Sequence, residues 1–121
     1  MKLKDHSLKT GILEGVKVLD LSRMLSGPYA TMLLADHGAE VIKIESAEGD
    51  SSRRSGPFKK NDTKKDWSGY FISLNRNKKS ICLNLKKRDD LNFLKKMIED
   101  VDVLVENFLV KFDPKSWLGR Q

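Results

Sequence analysis

The sequence predicts an α/β fold in which an open, mostly parallel, Rossmann-like sheet carries flanking helices. Two observations support this class. Short runs rich in valine, isoleucine and leucine alternate with segments of helical periodicity, and the first two runs lie within the roughly thirty residues that a βαβ unit requires. The predicted strands cover residues 16–21, 41–45, 80–85 and 101–105.

The first βαβ unit has the clearest signals. Residues 16–21 read VKVLDL and follow a glycine, which is typical of a mostly buried strand. Pro28 suits the first position of a helix, because the N–H that it lacks would be unbonded there. Apolar residues recur at helical spacing to about His37, and Gly38 ends the helix. Residues 41–45 form the second strand.

The second half of the chain predicts a loop, a strand, a helix and a strand. Residues 46–79 are crowded with Gly, Ser, Asn, Asp and Lys, which indicates a long loop of the kind that is usually functional or disordered. A strand over 80–85 follows. Asp89 and Asp90 open a helix whose apolar face is Leu91, Leu94 and Ile98. In such a sheet we expect ligand contacts at the carboxyl ends of the strands.

Size and composition indicate one soluble domain. The 121 residues suit a single core, and we expect a loose leader over 1–12, a domain over 13–118 and a tail over 119–121. The single cysteine, Cys82, permits no internal disulfide, and no run approaches the roughly 18–20 apolar residues of a membrane span. We therefore expect a cytoplasmic protein without a membrane partner, with mitochondrial and peroxisomal locations left open.

The net charge of +6 is concentrated in the second half of the chain. Residues 1–58 carry eight basic and eight acidic side chains, whereas residues 59–121 carry fifteen and nine. Such an excess favours polyanionic partners, which include nucleic acid and nucleotides with several phosphates. Lysines at 59, 60, 64 and 65 surround Trp67 and Tyr70, but no nucleic-acid motif accompanies them, so nucleic acid is not the expected partner.

Spacing alone assigns no catalytic or metal-binding residue. Cys82 has no second thiol or close histidine pair beside it, and His6 and His37 are isolated from any nucleophile pattern. Asp20 and Glu45 stand at strand ends, where a carboxylate can serve a site. Hydrogen bonding to the local backbone is the simpler interpretation of both.

Three segments carry a family resemblance. Residues 13–45 read LEGVKVLDLSRMLSGPYATMLLADHGAEVIKIE, residues 75–81 read NRNKKSI, and residues 102–108 read DVLVENF. In this order and at this spacing they resemble the class III CoA-transferase family, which includes formyl-CoA transferases, carnitine dehydratase-like proteins and alpha-methylacyl-CoA racemases. The resemblance covers roughly residues 13–108 and implies the amino-terminal, CoA-binding part of the family fold, which would be incomplete here.

The resemblance implies coenzyme A or an acyl-CoA as substrate, a small carboxylic acid as second substrate, no metal, and a homodimer in full-length members. In this family an aspartate attacks the acyl-CoA thioester, and an incoming acid later takes over the CoA. That aspartate is expected beyond position 121, so no catalytic residue is assigned, and transferase and racemase activities both stay open. The alternative is a non-catalytic truncated chain that acts as an interaction or assembly fragment.

The family's CoA contacts match ten positions in four segments. They are Leu25 and Ser26; Leu83, Asn84, Leu85 and Lys86; Asn107, Phe108 and Leu109; and Lys115. The resemblance implies that backbone groups at the loop starts meet the adenine and ribose, and that the two lysines meet phosphate oxygens.

Other interpretations of these residues remain open. Lys86 begins a KKR run that also suits a solvated helix start. Asn107 also suits closure of a turn, and Phe108 suits the core as well as adenine stacking. Two departures weaken the expected phosphate contacts: Ser46 stands where the family often has arginine, and residues 109–111 (LVK) replace Arg-Pro-Gly.

Overall fold

A computed structural model of the chain describes residues 11–108. In chain order the elements are β1 (Lys17–Asp20), α1 (Ser26–Asp36), β2 (Glu40–Glu45), a 3₁₀ turn (Ser51–Arg54), α2 (Gly69–Asn75), β3 (Lys78–Cys82), α3 (Arg88–Glu99) and β4 (Val103–Val105). The four strands form one parallel sheet in the order β3-β2-β1-β4. This confirms the predicted open, parallel α/β class.

The sheet is organised around β1, which pairs with β2 on one side and with β4 on the other. Leu19 is the partner of Ile42 in β2 and of Leu104 in β4. Because all four strands run in the same direction, the segments that follow them leave from one edge, which is called the carboxyl edge below.

One face of the sheet is apolar and packs against α3. Leu19 and Leu94 are both 0% exposed and form a buried cluster with Leu21 and Ile44. Leu94 lies in the predicted apolar stripe of the helix, and Ile98 of that stripe packs against the same cluster. Helix α3 therefore has the amphipathic character that its sequence indicates.

The opposite face changes character along the strands. Near the amino edge, Val18 and Val41 pack with Ala35 of α1 and with Ala39. Two residues further along each strand, the side chains on this same face are charged, because successive side chains of a strand alternate between faces. Asp20, Lys43 and Glu45 are 0%, 1% and 6% exposed.

A buried ionic layer fills this second half of the face. Its pairs are Lys78 with Asp20 at 3.0 Å, Lys43 with Asp50 at 3.1 Å, and Arg53 with Glu45 at 2.6 Å. Three cations face three anions, so the layer is neutral as a group. The ionic layer is defined by these six residues throughout: Asp20, Lys43, Glu45, Asp50, Arg53 and Lys78.

The predicted loop over residues 46–79 is wrong in part, because it contains the 3₁₀ turn and α2. Helix α2 begins where the Ser68 hydroxyl accepts a hydrogen bond from the backbone N–H of Phe71, an N-cap interaction. Phe71 and Leu74 then bury the inner face of this helix. With only seven residues, α2 is too short to show a periodic pattern in the sequence.

Several element boundaries differ from the predictions by one to three residues. Strand β3 begins at Lys78 and ends at Cys82, so residues 83–85 belong to the turn that follows it. Strand β4 begins at Val103 rather than at residue 101, and α1 begins at Ser26, two residues before Pro28. The leader up to residue 10, Leu109, Lys115 and the tail over 119–121 lie outside the described residues.

No helix among residues 11–108 is both long enough and apolar enough to cross a bilayer. Within the same range, no group of three or more His, Cys, Asp or Glu side chains is placed to hold a metal ion.

Candidate ligand-binding cleft at the carboxyl edge

A cleft of about 390 Å³ opens at the carboxyl edge, between segments that follow all four strands. Its wall residues come from residues 21–23 after β1, 44–48 at the end of β2, 83–86 after β3, and position 108 after β4. They are Leu21, Arg23, Ile44, Glu45, Ser46, Ala47, Glu48, Leu83, Asn84, Leu85, Lys86 and Phe108. The position agrees with the rule that open α/β sheets bind ligands beyond their strand ends.

The turn after β3 is fixed by its own hydrogen bonds. The Leu83 N–H donates to the Glu45 carbonyl at 2.8 Å, and the Asn84 N–H donates to a carboxylate oxygen of Asp90 at 2.7 Å. The Asn84 side chain accepts from the Lys86 N–H at 3.1 Å. Leu83 and Leu85 pack toward the apolar face, whereas Lys86 is exposed. The lysine thus projects from a well-held backbone beside the cleft.

Asn107 ties the exit of β4 to the exit of β1. Its side-chain oxygen accepts from the Arg23 N–H at 2.9 Å, and its amide nitrogen donates to the Arg23 carbonyl at 2.8 Å. The Asn107 side chain therefore holds both the backbone N–H and the backbone carbonyl of Arg23. Of the alternatives for Asn107, the structure shows the turn-closing one, acting across two strands.

Phe108 lies between the apolar core and the cleft. Its side chain packs against the apolar cluster of Leu19, Leu21, Ile44 and Leu94, and it also lines the cleft. Its backbone N–H donates to the Glu106 carboxylate at 2.8 Å. The ring is therefore part of both the core and the cleft wall.

Leu25 and Ser26 do not line the cleft. Leu25 is 55% exposed and Ser26 is the first residue of α1, so both lie just beyond the wall residue Arg23. Of the predicted site residues in the described range, Leu83, Asn84, Leu85, Lys86 and Phe108 line the cleft, and Asn107 holds its wall. Leu109 and Lys115 lie outside that range.

Sequence reasoning did not include Arg23 and residues 46–48 among the site residues. Arg23 follows β1 by three residues, and residues 46–48 follow β2 directly, so both occupy the carboxyl edge. The available signal was the position of each segment after a predicted parallel strand.

Glu45 is held as a carboxylate by several hydrogen-bond donors. Burial alone would raise its pKa, but hydrogen bonds from Arg53, Ser80 and the Asp50 N–H outweigh burial and lower the pKa to about 2. Arg53 donates twice, at 2.7 and 2.6 Å, and its guanidinium lies 3.8 Å from the centre of the Phe71 ring. The bidentate pair is a strong, fixed contact. Local backbone bonding alone therefore does not explain Glu45.

Asp20 is also an ionised, fully paired carboxylate. Burial works to raise its pKa, but Lys43, hydrogen bonds from Ser22 and Thr31, and Lys78 together keep it below the usual value. The Thr31 hydroxyl donates at 2.6 Å, and the Ser22 N–H donates at 2.9 Å. The backbone contact predicted for Asp20 is present, but the cation contacts were not predicted.

An open parallel sheet with a cleft at its carboxyl edge defines an α/β protein of the type that holds small ligands beyond its strand ends. The family model described as CoA-transferase family III matches residues 13–119. The chain belongs to CoA-transferase family III.

Two similar proteins illustrate the relationship. The succinyl-CoA:mesaconate CoA-transferase of Haloarcula marismortui is 45% identical over 107 residues, which is 85% of this chain and 27% of that protein. The human succinyl-CoA:glutarate CoA-transferase is 48% identical over 99 residues, which is 80% of this chain and 22% of that protein. The chain thus spans about a quarter of the length of these relatives.

Solved structures show the same likeness. A CAIB/BAIF family protein from Brucella suis has a TM-score of 0.75 and 37% identity, over 83% of this chain and 26% of that one. The hypothetical protein Rv3272 from Mycobacterium tuberculosis has a TM-score of 0.77 and 32% identity, over 91% of this chain and 29% of that one. The parallel sheet described above therefore corresponds to part of a larger fold.

Proposed function

We propose that this chain binds the nucleotide part of coenzyme A, or of an acyl-CoA, in the cleft at the carboxyl edge. The single observation that carries the proposal is the convergence of segments distant in sequence, at Arg23, at residues 83–86 and at residues 107–108. Those segments include six of the positions that the family resemblance implies as CoA contacts.

The chemistry of the cleft suits a nucleotide. Its volume of about 390 Å³ lies within the roughly 300–1,000 Å³ of small-molecule sites. Leu21, Ile44 and Phe108 provide apolar surface for a purine, while the exposed cations Arg23 and Lys86 provide partners for phosphate oxygens. CoA carries three phosphate groups, so the basic second half of the chain fits the same ligand.

For the whole protein we propose CoA transfer between carboxylic acids, in a cytoplasmic homodimer. The relatives named above are CoA-transferases, which supports the reaction class. The ionic-layer carboxylates Asp20, Glu45 and Asp50 are each bonded to cations and N–H or O–H donors, so none is free to attack a thioester. The family resemblance implies that the acyl-accepting aspartate lies elsewhere in the whole protein, and we assign the described residues to CoA positioning.

Calorimetric titration tests the binding proposal. Adenosine 3′,5′-bisphosphate and CoA are expected to bind the purified protein saturably and to compete, whereas pantetheine, which lacks the nucleotide, is expected not to compete. Absence of heat and of competition at millimolar ligand would overturn the proposal.

A lysine variant locates the binding site. Lys86→Gln is expected to weaken CoA binding about fivefold and to reduce its dependence on salt, because an exposed phosphate contact contributes about 1 kcal/mol. The matched control is Lys79→Gln, which removes a lysine that pairs with Glu40 at the start of β2, away from the carboxyl edge. Equal losses in the two variants would show that the effect of Lys86 is only one of net charge.

Transfer is tested separately on the whole protein. Succinyl-CoA supplied with glutarate or mesaconate, the acids named for the relatives, is expected to yield the second acid's CoA thioester on chromatography. Release of free CoA without a new thioester would contradict transfer while leaving the binding proposal intact. Light scattering of the same sample tests the homodimer, which a monomer mass would contradict.

A further inference from the structure

We propose that Lys43 and Asp50 are positioning residues for CoA binding: together they hold residues 22–24 in the backbone conformation that presents Arg23 to the cleft. The inference rests on the proposed function, because it concerns the wall of the same cleft. It assigns a role to a buried ion pair that contributes no side chain to the cleft itself.

Lys43 reaches the β1 exit from the neighbouring strand. Its side chain is 1% exposed, and its ammonium group donates to the Ser22 carbonyl at 2.8 Å and pairs with Asp50 at 3.1 Å. Asp20 is the direct partner of Lys43 across the sheet and lies two residues before Ser22. The ammonium group therefore contacts the backbone where the chain leaves β1.

Asp50 holds the same segment from the other side. Its side chain is 1% exposed and accepts from the Met24 N–H at 3.3 and 3.4 Å. The Ser52 N–H and hydroxyl also donate to it, at 2.9 and 2.8 Å. One carboxylate thus links the loop after β2 to the loop after β1.

The held segment has an unfavourable backbone conformation. Met24 has a φ of 69°, in the left-handed region, which costs a residue with a side chain about 1 kcal/mol. Lys43 fixes the carbonyl before Arg23, Asp50 fixes the N–H after it, and Asn107 fixes both backbone groups of Arg23 itself. Three successive residues are therefore held by three side chains from different parts of the chain.

Stability alone does not account for a charged pair at this place. Burying two charges costs desolvation that their attraction roughly offsets, and apolar pairs of similar volume are often equally stable or more so. Val41, on the same strand face, shows that an aliphatic residue packs well there. The pair does what aliphatic side chains cannot do, since it bonds the Ser22 carbonyl and the Met24 N–H.

A paired replacement separates positioning from stability. In Lys43→Met/Asp50→Leu no lone charge is left, but the Ser22 carbonyl and the Met24 and Ser52 N–H groups lose a partner, so we expect the thermal midpoint to fall by less than in either single variant. CoA affinity, measured by calorimetry, is expected to fall at least tenfold, because nothing then bonds the two backbone groups. Each single substitution leaves one buried charge unpaired and is expected to lower the midpoint by more than about 10 °C.

The matched control is Lys79→Met/Glu40→Leu, which removes a lysine–glutamate pair whose side chains are 71% and 46% exposed. It is expected to keep wild-type CoA affinity. A stable Lys43→Met/Asp50→Leu protein with wild-type affinity would overturn the inference while leaving CoA binding established. Absence of CoA binding in the wild type would overturn this inference and the proposed function together.

A second pair of variants tests the same inference without touching a buried charge. Met24 is 45% exposed, so its replacement removes little packing. Met24→Gly keeps the N–H and accepts a positive φ, and its CoA affinity is expected to stay within about threefold of the wild type. Met24→Pro loses both properties, and its affinity is expected to fall at least tenfold. Equal affinities in these two variants would overturn the inference even if the double variant does not fold.

Discussion

Side chains at the carboxyl edge fall into two groups, which differ in what they bind. Asn107 and Asp50 hold the backbone of a neighbouring loop, and each links segments that are more than twenty residues apart. Lys86 and Arg23 are exposed and lie at the cleft without an anionic partner among the salt bridges of the described residues. The first group shapes the wall, and the second is available to a ligand.

Glu45 makes the stability of the domain sensitive to acid. Its carboxyl has a pKa of about 2 in the fold and an ordinary value of 4.5 when exposed to solvent. Because the pKa is lowered in the fold, the ionised carboxylate contributes its full stabilisation at pH values above its ordinary pKa. This contribution is lost as pH falls from about 5 toward 2. The difference corresponds to at most about 3 kcal/mol. We expect urea unfolding to show a steep loss of stability over that pH interval.

Glu45→Gln tests this assignment. The variant is expected to be less stable at pH 7 by about 2–3 kcal/mol, because Arg53 loses its anionic partner, and to show a shallower pH dependence below pH 5. Ser80→Ala removes one hydrogen bond to the same carboxylate and is expected to give an intermediate slope. A slope below pH 5 that is unchanged in Glu45→Gln would contradict the assignment.

At the scale of elements, the junction between β1 and α1 depends on the absence of a side chain at Gly27. A Cβ built on Gly27 would overlap with the Cβ and the hydroxyl of Ser22, which is fully buried and bonds to Asp20. Gly27→Ala is expected to destabilise the fold by about 1–3 kcal/mol, since an overpacked site must shift its neighbours. Thermal unfolding measures the effect.

Gly69 provides the matched control for Gly27. It is the first residue of α2, and its added Cβ would meet Pro57 at 3.4 Å, an ordinary contact. Gly69→Ala is therefore expected to be neutral, or to stabilise by up to about 1 kcal/mol. A smaller loss at Gly27 than at Gly69 would show that the close approach to Ser22 does not limit the junction.

Element prediction from the sequence succeeded where periodicity is long enough to detect. Helices α1 and α3 have eleven and twelve residues, which is long enough for a periodic pattern. The strands next to them in the sequence are marked by runs of β-branched residues. Helix α2 was missed because seven residues in a polar segment give no pattern, and its start depends on one capping serine. Residues 83–85 were predicted as strand because they continue a short, largely apolar run, although the sheet ends at Cys82.

At the scale of the whole molecule, the two faces of the sheet differ in a way that the sequence did not reveal. The sequence VIKIE predicts that the Lys43 side chain faces solvent from a half-exposed strand. Its actual environment depends on Asp50 and on the pairing of β2 with β1, and Lys78 meets Asp20 from 58 residues away. Ion pairs between distant residues leave no periodic signal, so the ionic layer could not be predicted.

The cleft was more predictable than the layer beneath it. Residues 83–86 and Phe108 were indicated by the family resemblance and by their positions after predicted strands, and the structure brings them to one cleft. Arg23 was missed because the matched family contacts begin at Leu25, two residues later. The position of a side chain after a strand therefore adds to what motif matching indicates about this wall.

Hydrogen exchange of the whole molecule tests where CoA binds. At a CoA concentration of 100 times the Kd, hydrogen exchange through openings that release the ligand slows by about 100-fold, so peptides that form the site should gain protection. We expect this protection at residues 21–26, 83–87 and 106–108, which are remote in sequence and converge at the carboxyl edge. Residues 37–39 and 100–102, which precede β2 and β4 at the opposite edge, serve as internal controls. A parallel sheet separates these two edges by the length of its strands. Protection concentrated at the control residues would therefore place the ligand elsewhere. Protection of only one of the three expected segments would show that the cleft does not act as a single site.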